Sequence, residues 1–331
     1  MELQKPMVSV FCTAYNQEAY IRDALEGFVN QQTNFPFEVL IHDDASTDAT
    51  ADIIREYERK FPQIIRPVYQ SQNQYSQKVP IIKTFLGPIA QGKYIAYCEG
   101  DDFWCDPQKL QKQVDFLEKN PEYSSCVHNS IVINCNTGER RTISTRTEET
   151  DLLPLETMER GNGAFQLSSV LHRRELWYNR PDFCNTVGFG DYPLAIYMSL
   201  VGKGIHYMPQ CMSVYRECAA GSWTNRMFLA PDREKVSRHY NEVKKMLDKV
   251  DIYTQGKYSE ALRRIYRKQD YDMLVELGEY KQAIRECRDV VAQISPAERR
   301  RLYLQAYCPK TYAALRKVWL RVKKTMKKSD G

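Results

Sequence analysis

The sequence predicts an α/β fold, with a largely parallel sheet covered by helices on both faces and a helical C-terminal region after it. Three observations carry this. Short apolar, β-rich runs alternate with helical patterns over the first hundred residues, which is how a parallel sheet with crossover helices reads. Successive runs end in polar or acidic residues, at the sheet edge where such folds collect ligands. After about Met227 the strand signals stop and only helical periodicity remains. The expected domains are therefore residues 1–226 and 227–331.

Met7 to Cys12 is the first strand, and Thr13-Ala14-Tyr15-Asn16 turns into a helix with Tyr20, Ile21, Ala24, Leu25 and Phe28 at helical spacing. Phe37 to Ile41 is the second strand, ended by His42-Asp43-Asp44-Ala45-Ser46-Thr47. Ser46 or Thr47 is expected to cap the helix through Ile53, Ile54 and Tyr57. Ile64 to Tyr69 reads as a third strand and Tyr94 to Cys98 as a fourth, ended by Glu99-Gly100-Asp101-Asp102. Asp106-Pro107 is expected to open the next helix as N-cap and first residue. Residues 233–294 read as helices. Within them Gly256-Lys257-Tyr258-Ser259-Glu260-Ala261 is echoed by Gly278-Glu279-Tyr280-Lys281-Gln282-Ala283, which suggests helical hairpins with glycine at the turns.

Composition removes several classes. With 43% hydrophobic and 11% aromatic residues the chain has material for a core, so disorder is excluded. The N-terminus, Met1-Glu2-Leu3-Gln4-Lys5-Pro6, lacks the basic and apolar regions of a signal peptide, so a cytoplasmic protein is expected. Its ten cysteines contain no Cys-x-x-Cys pair and are read as reduced thiols, without structural zinc.

Charge is unevenly placed. From Ser295 onward eleven Lys and Arg face two acids, a net +9, which leaves −4 on residues 1–294 out of the total of +5. An acidic body argues against nucleic-acid binding. In the tail, Leu315, Val318, Trp319, Val322 and Met326 recur at helical spacing between basic residues. Two readings fit this stripe: a helix packed on the body, or one lying on an anionic membrane at the inner face of the cytoplasmic membrane.

Paired aspartates at a strand end serve as ligands of a divalent cation, as acid/base groups or as helix caps. Asp106 already supplies the cap expected after Asp101 and Asp102. Two adjacent carboxylates on a tight loop suit Mg²⁺ or Mn²⁺, which accept a few protein oxygens and complete their shell with phosphates and water.

Three stretches, Val8 to Glu18, Phe37 to Asp48 and Gly92 to Trp104, resemble in order and spacing the family 2 glycosyltransferases, which have the GT-A fold. The resemblance runs over residues 6–226. It implies a nucleotide pocket lined by Thr13, Ala14, Tyr15 and Glu18, with Asp44 and its neighbour Asp43 at the base and ribose. It places Asn73-Gln74-Tyr75-Ser76-Gln77-Lys78 in a donor-contacting loop, with Lys78 toward the diphosphate. It also makes Asp101 and Asp102 the Mn²⁺ or Mg²⁺ motif, Asp102 the direct ligand. Gly188-Phe189-Gly190-Asp191-Tyr192-Pro193-Leu194 resembles the motif whose Asp is the catalytic base; Gly190 replaces the more usual Glu and leaves Asp191 alone. Asp191 also suits an N-cap of the helix it opens. Val214 to Trp223 resembles a closing loop, but the His often found after the Arg is absent. The sequence there reads Glu217-Cys218-Ala219-Ala220, leaving Arg216 or Cys218 as replacements.

The implied activity is inverting sugar transfer from a nucleotide-diphosphate donor, a UDP-sugar if Asp44 reads the base, to a glycan or lipid-linked acceptor in surface-polysaccharide synthesis. Two alternatives stand beside it. A nucleotidyltransferase would want a Gly-rich phosphate loop with Lys or Arg, which Thr13 to Glu18 does not supply. A non-catalytic glycan-binding protein of the same fold would not need Asp101, Asp102 and Asp191.

Overall fold

The computed structural model describes residues 5–185, 190–219 and 232–315, apart from the Asn162 side chain. The chain divides into two compact units, residues 1–226 and 227–331.

The first unit is built on a ten-stranded mixed sheet among the described residues. Its strands are β1 (Val8–Ala14), β2 (Phe37–Asp43), β3 (Ile65–Tyr69), β4 (Tyr94–Tyr97), β5 (Phe103–Trp104), β6 (Ser125–Asn134), β7 (Arg140–Thr142), β8 (Thr150–Leu152), β9 (Leu171–Arg173) and β10 (Ile205–Glu217). The main path runs β3-β2-β1-β4-β9-β6-β10-β5, with β7 on β6 and β8 on β10. The first four strands of that path are parallel. Beyond β4 the sheet departs from the largely parallel expectation. β9 runs antiparallel to both β4 and β6, and β5 and β8 run antiparallel to β10. These strands have two or three residues each, too short for a hydrophobic period to register.

Helices α1 (Ile21–Val29), α2 (Thr50–Lys60) and α3 (Lys109–Lys119) contribute to the main core, α4 (Pro154–Arg160) and α5 (Glu175–Tyr178) follow, and α6 (Asp191–Leu200) precedes β10. α1 shows why the pattern was readable. Ile21, Ala24, Leu25 and Phe28 fall on one stripe, all fully buried against β1 residues Val8, Val10 and Cys12. Truncating Phe28 there would cost about 3–5 kcal/mol.

Two helix starts differ from expectation. Neither Ser46 nor Thr47 caps α2; the helix begins at Thr50, and both residues are spent on cross-loop bonds described below. Asp106 and Pro107 precede α3, whose cap position is Gln108. Asp106 still works at that end, its Oδ1 accepting from the Gln108 N–H at 2.8 Å, while Gln31 Oε1 accepts from Leu110 N–H at 3.1 Å. A remote glutamine does part of the capping, which local sequence could not reveal.

α3 also buries an amine. Lys109 is fully enclosed, its Nζ 2.7 Å from Gln113 Oε1 and 4.2 Å from the centre of the Trp104 ring. Burial pulls its ammonium down to about 7.

The second unit contains α7 (Arg233–Tyr253), α8 (Ser259–Glu276), α9 (Tyr280–Glu286), α10 (Arg288–Gln293) and α11 (Pro296–Tyr307). The repeated Gly-x-Tyr phrases sit where expected. Gly256 and Gly278 hold positive φ, +78° and +72°, immediately before α8 and α9, a conformation glycine adopts without a Cβ clash. The proposed tail helix falls largely on residues 316–331, outside the described residues. Among those described, no helix is long and apolar enough to cross a membrane.

Candidate functional site

The carboxyl ends of β1, β2 and β4 meet at one edge. Ala14 O accepts from Asp44 N–H at 2.9 Å, and Thr13 O accepts from Gly100 N–H at 3.0 Å, so β1 lies between the two acidic loops. Gly100 packs closely here: a Cβ would meet the side-chain ends of Gln17 and Ile21.

The loop after β1 is sewn to the loop after β2. Asn16 N–H donates to Ser46 Oγ, Gln17 N–H to Thr50 Oγ1 and Glu18 N–H to Asp48 Oδ2. In return Thr47 N–H reaches Asn16 Oδ1, and Ala49 N–H reaches Glu18 Oε2. Glu18 is thus turned toward the start of α2. Thr13 and Ala14 sit at the strand end, and Tyr15 is exposed beside them.

The two aspartates at the end of β2 differ. Asp44 is buried and both its oxygens are engaged, Oδ1 by Gln74 N–H at 2.7 Å and Oδ2 by Tyr75 N–H at 3.1 Å. It holds the 73–78 loop. Asp43 is also buried, but only Oδ2 accepts a bond, from Ser46 N–H at 3.3 Å; Oδ1 has no partner among the described residues. Lys78 lies on the same loop, exposed, with φ +60°.

The fourth strand end gathers negative charge. Glu99, Asp101 and Asp102 follow β4, and Asp191 opens α6 close enough for its charge to act on Glu99. Removal from bulk water, then mutual repulsion, raises the carboxyls of Glu99 and Asp102. Glu99 keeps solvent contact, so for it repulsion from Asp101 and Asp191 is the firmer cause. Asp101 is raised by burial, opposed by Arg216. Glu99 is the residue sequence reasoning missed, although it stands in the quoted Glu-Gly-Asp-Asp phrase.

Arg216 fastens this corner. Its backbone N–H donates to Asp102 Oδ1 at 2.9 Å, and Nη1 donates to Asp101 O at 2.8 Å. Nη2 pairs with Asp23 on α1, and the guanidinium lies over Phe103 and Tyr20. The cation is therefore committed to holding the acidic loop against α1 and β10.

Asp191 is the first residue of α6, with Gly190 rather than Asp191 in the cap position. Among the described residues its Oδ1 accepts from the adjacent Tyr192 N–H, at 2.9 Å. Burial pushes this carboxyl above the ordinary aspartate range. Residues 188 and 189 of its motif, and 220–223 of the expected closing loop, lie outside the described residues.

The donor set is all oxygen, which suits a hard divalent cation. Among the described residues no group of three or more His, Cys, Asp or Glu side chains is arranged to hold a metal. One or two protein carboxylates, with the remaining positions left to other oxygens, is the coordination Mg²⁺ ordinarily takes, so the residues fit such an ion.

A parallel half-sheet with acidic loops at its carboxyl edge, continued by a mixed half, defines the GT-A class of fold. Solved structures share it. A Staphylococcus aureus TarS fragment in complex with UDP-GlcNAc is 17% identical with a TM-score of 0.53, over 90% of this chain and 86% of that one. The Pyrobaculum calidifontis mannosyltransferase PcManGT, in complex with GDP-Man and Mn²⁺, is 17% identical with a TM-score of 0.52, over 95% and 88%. The Glycosyl transferase family 2 model matches residues 9–179, just over half of the chain, and the chain belongs to that family. An uncharacterized Mycobacterium tuberculosis protein is 39% identical over 221 residues, 65% of this chain and 60% of that protein's length. The putative teichuronic acid biosynthesis glycosyltransferase TuaG of Bacillus subtilis is 36% identical over 113 residues, 34% of this chain and 42% of its own. The Escherichia coli glucosyltransferase WfaP, named for a GlcNAc-diphosphoundecaprenol substrate, is 33% identical over 119 residues, 36% of this chain and 44% of its own.

Proposed function

We propose that this chain is an inverting, divalent-metal-dependent glycosyltransferase that moves a sugar from a nucleotide-diphosphate donor to a hydroxyl of a glycan or lipid-linked acceptor. The observation that carries the reading is the convergence of Glu99, Asp101 and Asp102 after β4 with Asp191 at the start of α6.

Asp43 offers its unpartnered, buried Oδ1 to a donor such as the N3–H of uracil, which favours a UDP-sugar. Asp44 shapes the pocket by holding the 73–78 loop, from which Lys78 reaches toward the diphosphate. Thr13, Ala14 and Tyr15 form the wall after β1. Asp101 and Asp102 would hold the Mn²⁺ or Mg²⁺, and Arg216 keeps their loop in place. When bound, such an ion neutralises charge on the departing diphosphate. Asp191 takes the proton of the attacking hydroxyl, a contribution of roughly 10²–10⁴-fold. Its Oδ2 makes no hydrogen bond with the described residues, and its raised affinity for a proton suits a base.

Support for the acceptor class comes from the relatives, one named for teichuronic acid and one for a lipid-diphosphate-linked sugar. The test is a hydrolysis and transfer screen over UDP-, GDP- and dTDP-sugars, with Mn²⁺ and with chelator. Metal-stimulated turnover of a UDP-sugar is expected. Turnover indifferent to chelation, or of no sugar nucleotide at all, overturns the reading.

A further inference from the structure

The second unit carries a feature that sugar transfer leaves unused. An open groove of about 670 Å³ between α9, α10 and α11 is lined by Lys281, Arg285, Arg288 and Arg299 and by Tyr303 and Tyr307. No acid lines it. The acids nearby are engaged: Asp289 with Arg267, Glu298 in a capping box with Ser295, and Glu286 with Arg285. Lys281 and Arg288 have no carboxylate partner among the described residues. Arg299 donates to the carbonyls of Val291 and Ala292, which fixes its charge at the end of α10.

With Arg285 already paired to Glu286, the charges of Lys281, Arg288 and Arg299 at one hollow, uncompensated by any carboxylate among the described residues, still call for an anionic occupant. The volume is far larger than a single inorganic ion requires and falls in the range of small-molecule sites. Tyr303 and Tyr307 stand one turn apart on α11 with 43% and 58% of their surface exposed, an apolar body with a polar tip that suits a membrane–water boundary. The sequence after Tyr307 adds eight more Lys and Arg between residues 310 and 328, interleaved with Leu315, Val318, Trp319, Val322 and Met326. That segment is itself basic, so its charge disqualifies it as the groove's occupant.

We propose that this groove binds the phosphate headgroups of anionic lipids and docks the C-terminal unit on an anionic membrane surface. The inference stands independently of the reading of the acidic cleft.

The test uses the full-length protein and flotation with vesicles of phosphatidylcholine alone or mixed with phosphatidylglycerol. Binding to the anionic vesicles only is expected. Each basic residue near such a surface strengthens binding roughly fivefold, so the double variant Arg285→Glu/Arg288→Glu should bind at least about 25-fold more weakly. Its melting temperature and donor hydrolysis should stay at the wild-type level. If that variant unfolds, Lys281→Glu, at an exposed position without an ion pair, takes its place with a loss of about fivefold or more. Equal affinity for both vesicle types, unchanged binding by the charge-reversed protein, or binding of a soluble acidic glycan without vesicle binding overturns the proposal.

Discussion

The two units solve opposite electrostatic problems by opposite means. In the first, negative charge is concentrated at the carboxyl ends of buried strands, and several of the acids are positioned by backbone N–H groups: Asp44 by 74 and 75, Asp102 by 216, Asp191 by 192. In the second, positive charge stands on exposed helix faces. Chemistry on a sugar needs groups held to fractions of an ångström. Attraction to a charged surface needs only a field. The net +5 hides this division, which falls as −6 on residues 1–226 and +11 on residues 227–331.

The comparison breaks most visibly at Asp102. Asp102→Ala should remove a metal oxygen and release the Arg216 N–H, so turnover should fall by about 10³-fold or more, several kcal/mol of transition-state stabilisation. Calorimetry of UDP binding with and without Mn²⁺ checks it, and unchanged metal dependence refutes the assignment.

Arg216→Met probes the fastening. Losing charge-assisted bonds to Asp101 O and Asp23 should cost about 1.5–3 kcal/mol of stability. Mn²⁺ affinity should weaken with it; a fall in melting temperature alone would mean that Arg216 serves the fold and not the loop.

Lys109 offers a pH test confined to the first unit. Its ammonium is held near 7 when folded and titrates at about 10.4 when unfolded. Between those values the unfolded chain binds more protons, so stability rises with pH by up to about 1.4 kcal/mol per unit. Chemical denaturation of Lys109→Met across that window should show the slope gone.

The smallest effect belongs to the second unit. Ser295→Ala removes the capping box of α11 and should lower that unit's stability by about 1 kcal/mol. Calorimetry should show the loss while transfer rate stays constant.

What was legible in the sequence follows from which interactions are local. β1, β2 and β4 are nearly continuous buried runs ended by polar or acidic residues, and α1 is a clean stripe, so both patterns survive without neighbours. β5, β8 and β9 have no such signal, because two or three residues take their identity from the strand they pair with. The same applies within the site. Asp101, Asp102 and Asp191 stood out as motifs, whereas Gln31 capping α3, Asp44 holding 74 and 75, and Arg216 bracing the loop from more than a hundred residues away are long-range facts. Ser46 and Thr47 misled because a good local capping signal lost to bonds with Asn16.

The central claim, that the acidic corner performs transfer with Asp191 as base, is tested most directly by Asp191→Asn. Asparagine keeps the shape and a carbonyl for the Tyr192 N–H but cannot accept the proton. Transfer should fall by at least about 10²-fold with donor affinity near wild type. In the wild type the rate should drop as pH falls through a carboxyl pKa above the ordinary value of about 3.9, a limb the variant should lack. Transfer that survives in Asp191→Asn with its pH profile intact would contradict the account.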